Sequence, residues 1–168
     1  MAGVRRLTPE EIEREENGPL DWDLMRLPLK WTGPEACRPR RTHSGDAGFD
    51  LVVAESAVVK PGEFADVSAG IRIELPPKTW AMVTGRSSTL RRRRLMVNDG
   101  VIDNGYRGPL FVAVWNLGKE TARIKEGERL GQLIVLPLLA LGVTPIRVAE
   151  DTLSETDRGE AGFGSTGE

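Results

Sequence analysis

The sequence predicts an all-β domain. Short stretches dominated by Val, Ile, Leu and Trp recur from residue 22 onward, and residues that favour turns separate them at intervals of about ten residues. A parallel sheet would need helical crossovers between its strands, yet only residues 88–94 have the pattern of a helix inside the domain. These observations indicate a sandwich, a jelly roll or a barrel.

Eight strands are predicted in order along the chain. Lys-Pro-Gly-Glu at 60–63, Pro-Pro at 76–77 and Gly-Lys at 118–119 interrupt the apolar stretches and mark turns between strands. The β-branched and aromatic side chains of these stretches favour extended structure. The predicted strands are residues 24–31, 50–55, 70–75, 80–84, 110–116, 122–125, 129–136 and 143–148.

Two appendages flank the domain. Residues 1–21 are acidic and weakly apolar, and Thr8, Pro9 and Glu11 supply an N-cap, a first helical position and a capping box for a short helix. Residues 22–150 form the main β-domain. We expect residues 151–168, which are rich in glycine and hydroxyl groups, to form a flexible C-terminal arm.

Composition limits the chemistry that the chain can perform. Its 168 residues include 23 basic and 25 acidic side chains, so the net charge of −2 gives no overall attraction to nucleic acid or to anionic membranes. A single cysteine, Cys37, excludes an intramolecular disulfide. The single histidine, His43, argues against a zinc site or a histidine base. With no apolar signal segment or membrane-length run, we expect a soluble, cytoplasmic protein.

The C-terminal residues combine groups that suit a nucleoside triphosphate. Gly164 and its neighbouring glycines let backbone N–H groups approach phosphate oxygens, and Ser165 and Thr166 add hydroxyl donors. Arg158 can bind a terminal phosphate, and Phe163 can stack on a base. The alternative for this segment alone is a disordered Gly/Ser tail.

A turn signal lies at residues 101–108. Asn104 and Gly105 favour a type I′ turn between two strands, because both residue types tolerate positive φ. Such a hairpin would make Asp103 and Tyr106 cross-strand neighbours that line a pocket. An Asx-rich surface turn is the alternative.

Residues 85–88, Gly-Arg-Ser-Ser, follow a strand and precede the predicted helix. Backbone N–H groups, two hydroxyls and Arg86 form a candidate anion site, although a serine N-cap would explain the same residues. The four arginines at 91–94 suggest a nucleic-acid patch, but without interleaved aromatic residues a solvated helix face is the better interpretation.

Three further polar residues stand out. Asp46 and Asp50 could belong to a metal shell or mark the start of a strand. Gln132 lies inside an apolar strand, where a half-buried amide requires either a structural hydrogen bond or a ligand.

Taken in order, these segments resemble the five motifs of the trimeric dUTPase family, over residues 22–168. The resemblance implies a jelly-roll or β-barrel subunit of the β-clip type. It also implies a homotrimer in which the arm of one subunit closes over an active site shared with its neighbours. The implied reaction is hydrolysis of dUTP to dUMP and pyrophosphate with Mg²⁺, which limits uracil incorporation into DNA and supplies dUMP for thymidylate synthesis.

The resemblance also implies roles for individual residues. Asp103 would activate the attacking water, Asp50 would contact Mg²⁺ through water, and Tyr106 would exclude a 2′-hydroxyl. The implied contacts to the triphosphate are Arg86, Ser87, Ser88, Gln132 and Arg158. Contacts to the nucleoside and from the closing arm are implied for Asn98, Gly100, Ile102, Phe163, Gly164, Ser165 and Thr166.

Two other functions are considered. Residues 85–88 also resemble the second motif of dCTP deaminases, in the same superfamily, which suggests a deaminase or a bifunctional enzyme. The deaminases use a glutamate where this chain has Ala113, which cannot transfer a proton, so dUTP hydrolysis ranks above deamination. A nucleotide-responsive regulatory binding protein is the alternative from another class.

Overall fold

The computed structural model of the protein describes residues 28–138, together with Pro145 and Arg147. In this part of the chain the all-β prediction is confirmed, since ten strands accompany one seven-residue α-helix and a 3₁₀ turn at Glu35–Cys37. The strands are β1 (Lys30–Thr32), β2 (Gly48–Val52), β3 (Ala57–Val59), β4 (Phe64–Glu74), β5 (Thr79–Gly85), β6 (Leu95–Val97), β7 (Gly100–Ile102), β8 (Pro109–Asn116), β9 (Ala122–Ile124) and β10 (Arg129–Pro137). The helix is α1 (Ser87–Arg93).

The strands form three antiparallel sheets. Sheet 1 has the order β1-β4-β8-β6, sheet 2 has the order β2-β10-β5-β7, and β3 pairs with β9 in a small third sheet. In sheet 2, β10 is hydrogen-bonded along both edges, to β2 and to β5. This central position aligns residues of three strands in transverse rows.

Alternation of side chains along each strand builds the core. In β8, Leu110, Val112 and Val114 are buried, whereas Phe111 and Trp115 point outward. Leu51 and Leu133 of sheet 2 are fully buried in the same cluster. Each such side chain stabilises the fold by about 1.5–3 kcal/mol relative to an exposed one, so the core holds the two sheets in a fixed relative position.

Most strand predictions that fall on described residues are confirmed. The strands predicted at 80–84, 110–116, 122–125 and 129–136 agree with β5, β8, β9 and β10 to within one residue at each end. The strand predicted at 50–55 is β2, which begins two residues earlier. Of the strand predicted at 24–31, the described residues 28–31 are strand only from Lys30, where β1 begins. The strand predicted at 143–148, the N-terminal appendage and the C-terminal arm lie wholly or largely outside the described residues.

The strand predicted at 70–75 is only the second half of β4. Gly70 has a φ of +67°, and the pairing with β8 shifts register between Ser68 and Arg72. Glycine permits such a bulge without a strand ending there, which is why a glycine at this position was wrongly interpreted as a strand boundary. The three-residue strands β3 and β6 were not predicted, because they are too short to show periodicity.

Helix α1 agrees with the prediction at 88–94 to within one residue. The helix ends at Arg94, which has a left-handed φ of 57° and donates its N–H to the Leu90 carbonyl. Arg91, Arg92 and Arg94 are exposed, as expected for a solvated helix face. No helix within the described residues has the length and apolar character needed to span a bilayer.

Asn116 is a buried polar residue at the end of β8. Its side chain is 1% exposed. Its Nδ2 donates to the carbonyls of Val59 and Glu120, each at 2.8 Å, and its Oδ1 accepts from the N–H of Gly118 at 2.9 Å. One amide therefore joins the ends of β3 and β8 to the turn before β9.

We expect Asn116→Ala to lower the free energy of unfolding by about 3 kcal/mol, because it leaves two carbonyls and one N–H without partners. Urea denaturation at a fixed protein concentration measures the change. Asn98→Ala is the control, since Asn98 is exposed and its replacement should change stability by less than about 0.5 kcal/mol. A similar effect of both substitutions would contradict the structural role of the Asn116 amide.

Candidate functional site

A cleft of about 390 Å³ opens beside β2, β10 and the start of α1. We call it the β2–β10 cleft. It brings together five residues selected from the sequence, namely Asp50, Arg86, Ser87, Ser88 and Gln132. The rest of its lining comes from the loop before β2 and the first residue of that strand, namely Thr42, His43, Asp46, Ala47 and Gly48.

Strand register places the polar residues of the cleft. Gln132 on β10 lies opposite Asp50 on β2 and opposite Thr84 on β5. Directly opposed residues of antiparallel strands point to the same face of a sheet, so these three side chains form one polar row. Asp50 is the third residue of β2, and therefore lies within the strand rather than at its start.

The chain leaves β5 at Gly85 and enters α1 through Arg86, which is the helix N-cap with an extended backbone. No side chain caps the helix, and Ser87 is already its first residue. The serine N-cap interpretation of residues 85–88 is therefore wrong. The hydroxyls of Ser87 and Ser88 are not used as caps, and both residues line the cleft. Thr89 fixes the helix instead by donating to the Leu130 carbonyl at 2.8 Å.

The Asp50 carboxylate is shared by two arginines. Its Oδ1 lies 2.7 Å from Nε of Arg86, and its Oδ2 lies 3.0 Å from Nη1 of Arg129. The Asp50 side chain is only 14% exposed, and Arg86 also donates to the Arg129 carbonyl. One carboxylate therefore orients two guanidinium groups, and Arg86, which lines the cleft together with Asp46 and Asp50, offers a fixed donor to an anion.

Gln132 has the structural hydrogen bond that its position in an apolar strand requires. Its Nε2 donates to the Gly85 carbonyl at 2.9 Å. On the opposite side, a Cβ on Gly48 would lie 2.5 Å from its Oε1. The amide therefore fits only because residue 48 is glycine, and it ties β10 to the start of the Arg86 segment.

The type I′ hairpin predicted at residues 101–108 is wrong. Strand β7 pairs with β5, whereas β8 pairs with β4 and β6, so the chain crosses from sheet 2 to sheet 1 at this point. The N–H of Tyr106 bonds to the Asp103 carbonyl at 3.0 Å, and neither Asn104 nor Gly105 has positive φ. Primed turns match the twist of two paired strands, and no such pair exists here.

Asp103 and Tyr106 lie on this turn, which we call the Asp103 turn. Asp103 is exposed. The hydroxyl of Tyr106 donates to the Pro109 carbonyl at 3.0 Å, and its ring covers Gly108, where a Cβ would clash with ring carbons. The tyrosine ring is therefore held in one orientation at the surface.

Three other selected residues lie on or beside β7. Gly100 and Ile102 pair with Val83 and Ala81 of β5. The backbone N–H of Asn98 donates to the Ala113 carbonyl on β8 at 2.9 Å. These residues run along one edge of sheet 2, close to the Asp103 turn.

The selected residues thus form two groups at opposite edges of sheet 2. The cleft group lies at β2 and β10, and the second group lies at β7 and the Asp103 turn. Three strand spacings place β7 roughly 14 Å from β2. The row of opposed residues that contains Asp50, Gln132 and Thr84 reaches Asp99, just before β7. Asp103 lies four residues beyond Asp99, a further separation of roughly 13 Å along the strand direction. No residue of the second group lines the β2–β10 cleft.

The sequence did not identify His43 as part of the cleft, nor Arg129 as a partner of Asp50 behind it. Arg129 is the first residue of β10, and its contact with Asp50 depends on the pairing of β10 with β2. His43 lies on the loop before β2, fixed by a bond from its N–H to Asp46 Oδ2 at 2.8 Å. Neither contact has a local sequence signal. Arg158, Phe163, Gly164, Ser165 and Thr166 lie outside the described residues.

Comparisons with known proteins agree on one family. The family model described as dUTPase matches residues 35–167. The chain is 38% identical over 146 residues to the deoxyuridine 5'-triphosphate nucleotidohydrolase of Clostridium acetobutylicum, covering 86% of this chain and 98% of that protein. It is 40% identical over 145 residues to the protein of the same name from Clostridium novyi, covering 85% and 99% respectively.

Solved structures of similar fold carry the same name. The dUTPase of Staphylococcus bacteriophage 80alpha, solved with dUpNHpp, is 28% identical with a TM-score of 0.73, and the match covers 84% of this chain and 99% of that one. A mutant dUTPase from phage phi11 of S. aureus, which shows the coordination of a structural Mg(II) ion, is 26% identical with a TM-score of 0.66. That match covers 76% of this chain and 100% of the phage protein.

We expect Gly48→Ala to weaken the binding of tripolyphosphate about fivefold, because the new methyl group displaces the Gln132 amide and removes a hydrogen bond worth about 1 kcal/mol. Isothermal titration calorimetry measures the affinity. Gly45→Ala is the matched control on the same loop, since a Cβ there meets no atom within 4 Å. Equal weakening by both substitutions would reject the role of Gly48 in placing Gln132.

Proposed function

The chain belongs to the dUTPase family, and we propose an assignment of its residues to the steps of that family's reaction. The enzyme is a dUTP diphosphatase: it hydrolyses dUTP to dUMP and pyrophosphate. This reaction limits uracil incorporation into DNA and supplies dUMP for thymidylate synthesis. The observation that carries the assignment is the β2–β10 cleft, where two serine hydroxyls, the Gln132 amide and the Arg86 guanidinium group meet.

The β2–β10 cleft holds the triphosphate. Arg86 offers a guanidinium group already oriented by its contact with Asp50 at 2.7 Å. Ser87 and Ser88 add hydroxyl donors at the start of α1, and Gln132 adds an amide fixed by Gly85 and Gly48. Because these groups are held before the substrate arrives, little side-chain entropy is lost on binding.

Mg²⁺ is the proposed cofactor. Among the described residues there is no group of three or more His, Cys, Asp and Glu side chains that could hold an ion. Mg²⁺ in phosphate sites is commonly held by substrate phosphates, water and one or two carboxylates, and Asp50 and Asp46 line the cleft. This donor set fits an ion bound together with the triphosphate, with Asp50 contacting it through water. When bound, the ion neutralises phosphate charge.

Asp103 activates the water. Its carboxylate accepts a hydrogen bond from a water molecule and orients the oxygen in line with the α-phosphorus. The new bond forms between that oxygen and the α-phosphorus while a proton of the water passes to the Asp103 carboxylate and then to solvent. The bond from the α-phosphorus to the bridging oxygen breaks, and pyrophosphate leaves. A carboxylate is a modest base, so positioning of the water and neutralisation of charge provide most of the acceleration.

The β7 edge recognises the nucleoside. Tyr106 packs against the deoxyribose, and its fixed ring leaves no room for a 2′-hydroxyl. Asn98, Gly100 and Ile102 provide the backbone and side-chain edge that contacts uracil. Arg158 binds the γ-phosphate, and Phe163 stacks on uracil as Gly164, Ser165 and Thr166 close over the phosphates.

A homotrimer with shared active sites joins the two groups of residues. The separation of the β2–β10 cleft from the Asp103 turn across sheet 2 supports this arrangement, since a neighbouring subunit can supply the missing group. The outward face of sheet 1 also carries Phe64, Met96, Phe111 and Trp115, each 39–44% exposed. Exposed apolar clusters of this kind favour protein association. We place the reaction in the cytoplasm, or in the host cytoplasm for a viral protein.

We expect the wild-type protein with Mg²⁺ to release pyrophosphate from dUTP and not from dCTP, dTTP or UTP.

Asp103→Asn should reduce kcat on dUTP by at least about 10³-fold while dUpNHpp affinity stays within threefold, because it removes the base and keeps the shape of the side chain. Quenched-flow measurement of pyrophosphate gives kcat. Turnover near the wild-type rate in Asp103→Asn would reject the catalytic assignment, and conversion of dCTP would indicate a deaminase.

We expect two inactive variants to restore activity to each other in mixed trimers. Asp103→Asn disables the β7 edge and Arg86→Gln disables the β2–β10 cleft. If each site takes these residues from different subunits of a ring, every mixed trimer has one intact site out of three, so the purified mixed trimers regain about a third of the wild-type activity. Co-expression with two affinity tags and tandem purification isolates the mixed trimers. Activity no higher than that of the two parents would place both residues in one chain's site.

A further inference from the structure

We propose that Asn104 is a positioning residue for catalysis: its side-chain amide locks the Asp103 turn onto the connection between β4 and β5, and Arg107 locks the same turn from within. The inference rests on the proposed role of Asp103. It adds two residues that do not touch substrate but determine where the catalytic carboxylate lies.

The Asn104 amide uses both of its hydrogens on the neighbouring connection. Its Nδ2 donates to the Pro76 carbonyl at 2.6 Å and to the Thr79 carbonyl at 2.9 Å. Both bonds are partly buried and join positions 25 and 28 residues apart in the chain. These two hydrogen bonds therefore fix the position of the Asp103 turn relative to sheet 2, and not only the internal conformation of the turn.

The connection that receives this amide is rigid. Pro76 and Pro77 restrict two backbone φ angles, and Pro76 is buried. The Thr79 hydroxyl also donates to the Pro76 carbonyl at 2.7 Å. Lys78 has a φ of 57°, which fixes the shape of the turn, and its carbonyl accepts the Leu138 N–H at 2.8 Å. Because the Asp103 turn is hydrogen-bonded to this rigid β4–β5 connection, the turn is also held in a fixed position.

The turn itself does not require asparagine. Asparagine is common in turns because it tolerates positive φ, but φ at Asn104 is not positive. The reversal is closed by the bond from the Tyr106 N–H to the Asp103 carbonyl, which any residue at 104 would allow. The two bonds to the β4–β5 connection are the contacts that depend on this side chain.

Arg107 provides the second lock. Its Nη1 donates to the carbonyls of Asn104 and Tyr106 at 2.7 and 2.8 Å, so the guanidinium group crosses the turn. Its own carbonyl accepts from Arg72 Nη1 at 3.0 Å, which ties the end of the turn to β4. Its Nε lies 4.0 Å from Glu74. A hydrogen bond from Lys30, followed by the Lys30 charge and a smaller contribution from Arg107, lowers the pKa of Glu74.

The hydrogen bonds of Asn104 and Arg107 are important because Asp103 is exposed and β7 has only three residues. Strand pairing ends at Ile102, immediately before the catalytic carboxylate. An error of about 1 Å in the position of a catalytic group can cost about 10²-fold in rate. Loss of the Asn104 bonds should therefore reduce the rate of the chemical step more than it reduces substrate binding.

The test compares Asn104→Ala with Thr79→Val. The alanine removes both donors to the β4–β5 connection, whereas valine at 79 removes a different bond to the same Pro76 carbonyl and keeps the Thr79 carbonyl that receives Asn104. We expect N104A to lower kcat by about 10- to 100-fold, with KM and dUpNHpp affinity within threefold of wild type. T79V loses one bond within the connection but keeps both bonds from Asn104, so it should lower kcat by less than about threefold. Active sites are counted by dUpNHpp titration, so that misfolded protein does not lower the apparent kcat.

Arg107→Lys gives a second route if N104A folds poorly. It keeps the charge, but its ammonium nitrogen lies one bond short of the position of Arg107 Nη1, which weakens both carbonyl bonds, and we expect a smaller fall in kcat with unchanged dUpNHpp affinity. The inference is overturned if folded N104A and R107K keep the wild-type kcat, or if T79V lowers kcat as much as N104A does. Measuring Asp103→Asn in the same series distinguishes a failure of the catalytic role of Asp103 from a failure of the positioning role of Asn104. Turnover retained in D103N rejects the catalytic assignment together with this inference, whereas an inactive D103N beside a fully active N104A rejects this inference alone.

Discussion

Strand β10 is hydrogen-bonded to β2 on one edge and to β5 on the other, and the candidate site depends on this double pairing. The pairing places Asp50, Gln132 and Thr84 in one row. It also brings the Gly85 carbonyl to the Gln132 amide and Arg129 to the Asp50 carboxylate. A change of one residue in either register would turn the polar row toward the core, so the same register that builds the core also builds the cleft.

The ion pairs of the cleft serve orientation more than stability. Arg129 is half exposed, and pairs of this kind contribute little to the free energy of folding. Asp50, at 14% exposure, instead keeps the Arg86 side chain extended along the cleft while leaving part of its guanidinium group available. A carboxylate shared by two arginines therefore orients the Arg86 guanidinium group at the cleft without leaving an isolated charge at its edge.

At the opposite edge of sheet 2, the functional carboxylate lies where strand pairing has ended. Asp103 follows a strand of three residues at the point where the chain leaves sheet 2 for sheet 1. Neither sheet controls the carboxylate through strand pairing, so side-chain bonds to backbone carbonyls take over that function. Asn104 and Arg107 together supply four such bonds. The two edges thus hold their functional groups by different means, which is consistent with edges that meet only between subunits.

Local patterns in the sequence were sufficient for the all-β class, for most strand positions and for the residues of the cleft. Alternating side chains and turn residues act over a few positions, and so β5, β8 and β10 could be located to within one residue. These local patterns could not predict which strands pair or which distant side chains make contact. The sequence around Asn104 and Gly105 suits a hairpin, but β7 pairs with β5 because sheet 2 offers an open edge there. Likewise, the contact of Arg129 with Asp50 spans 79 residues. The sequence by itself determined the fold class and the family, and the tertiary structure decided which of the selected residues meet, because pairing energy comes from contacts between segments that are distant along the chain.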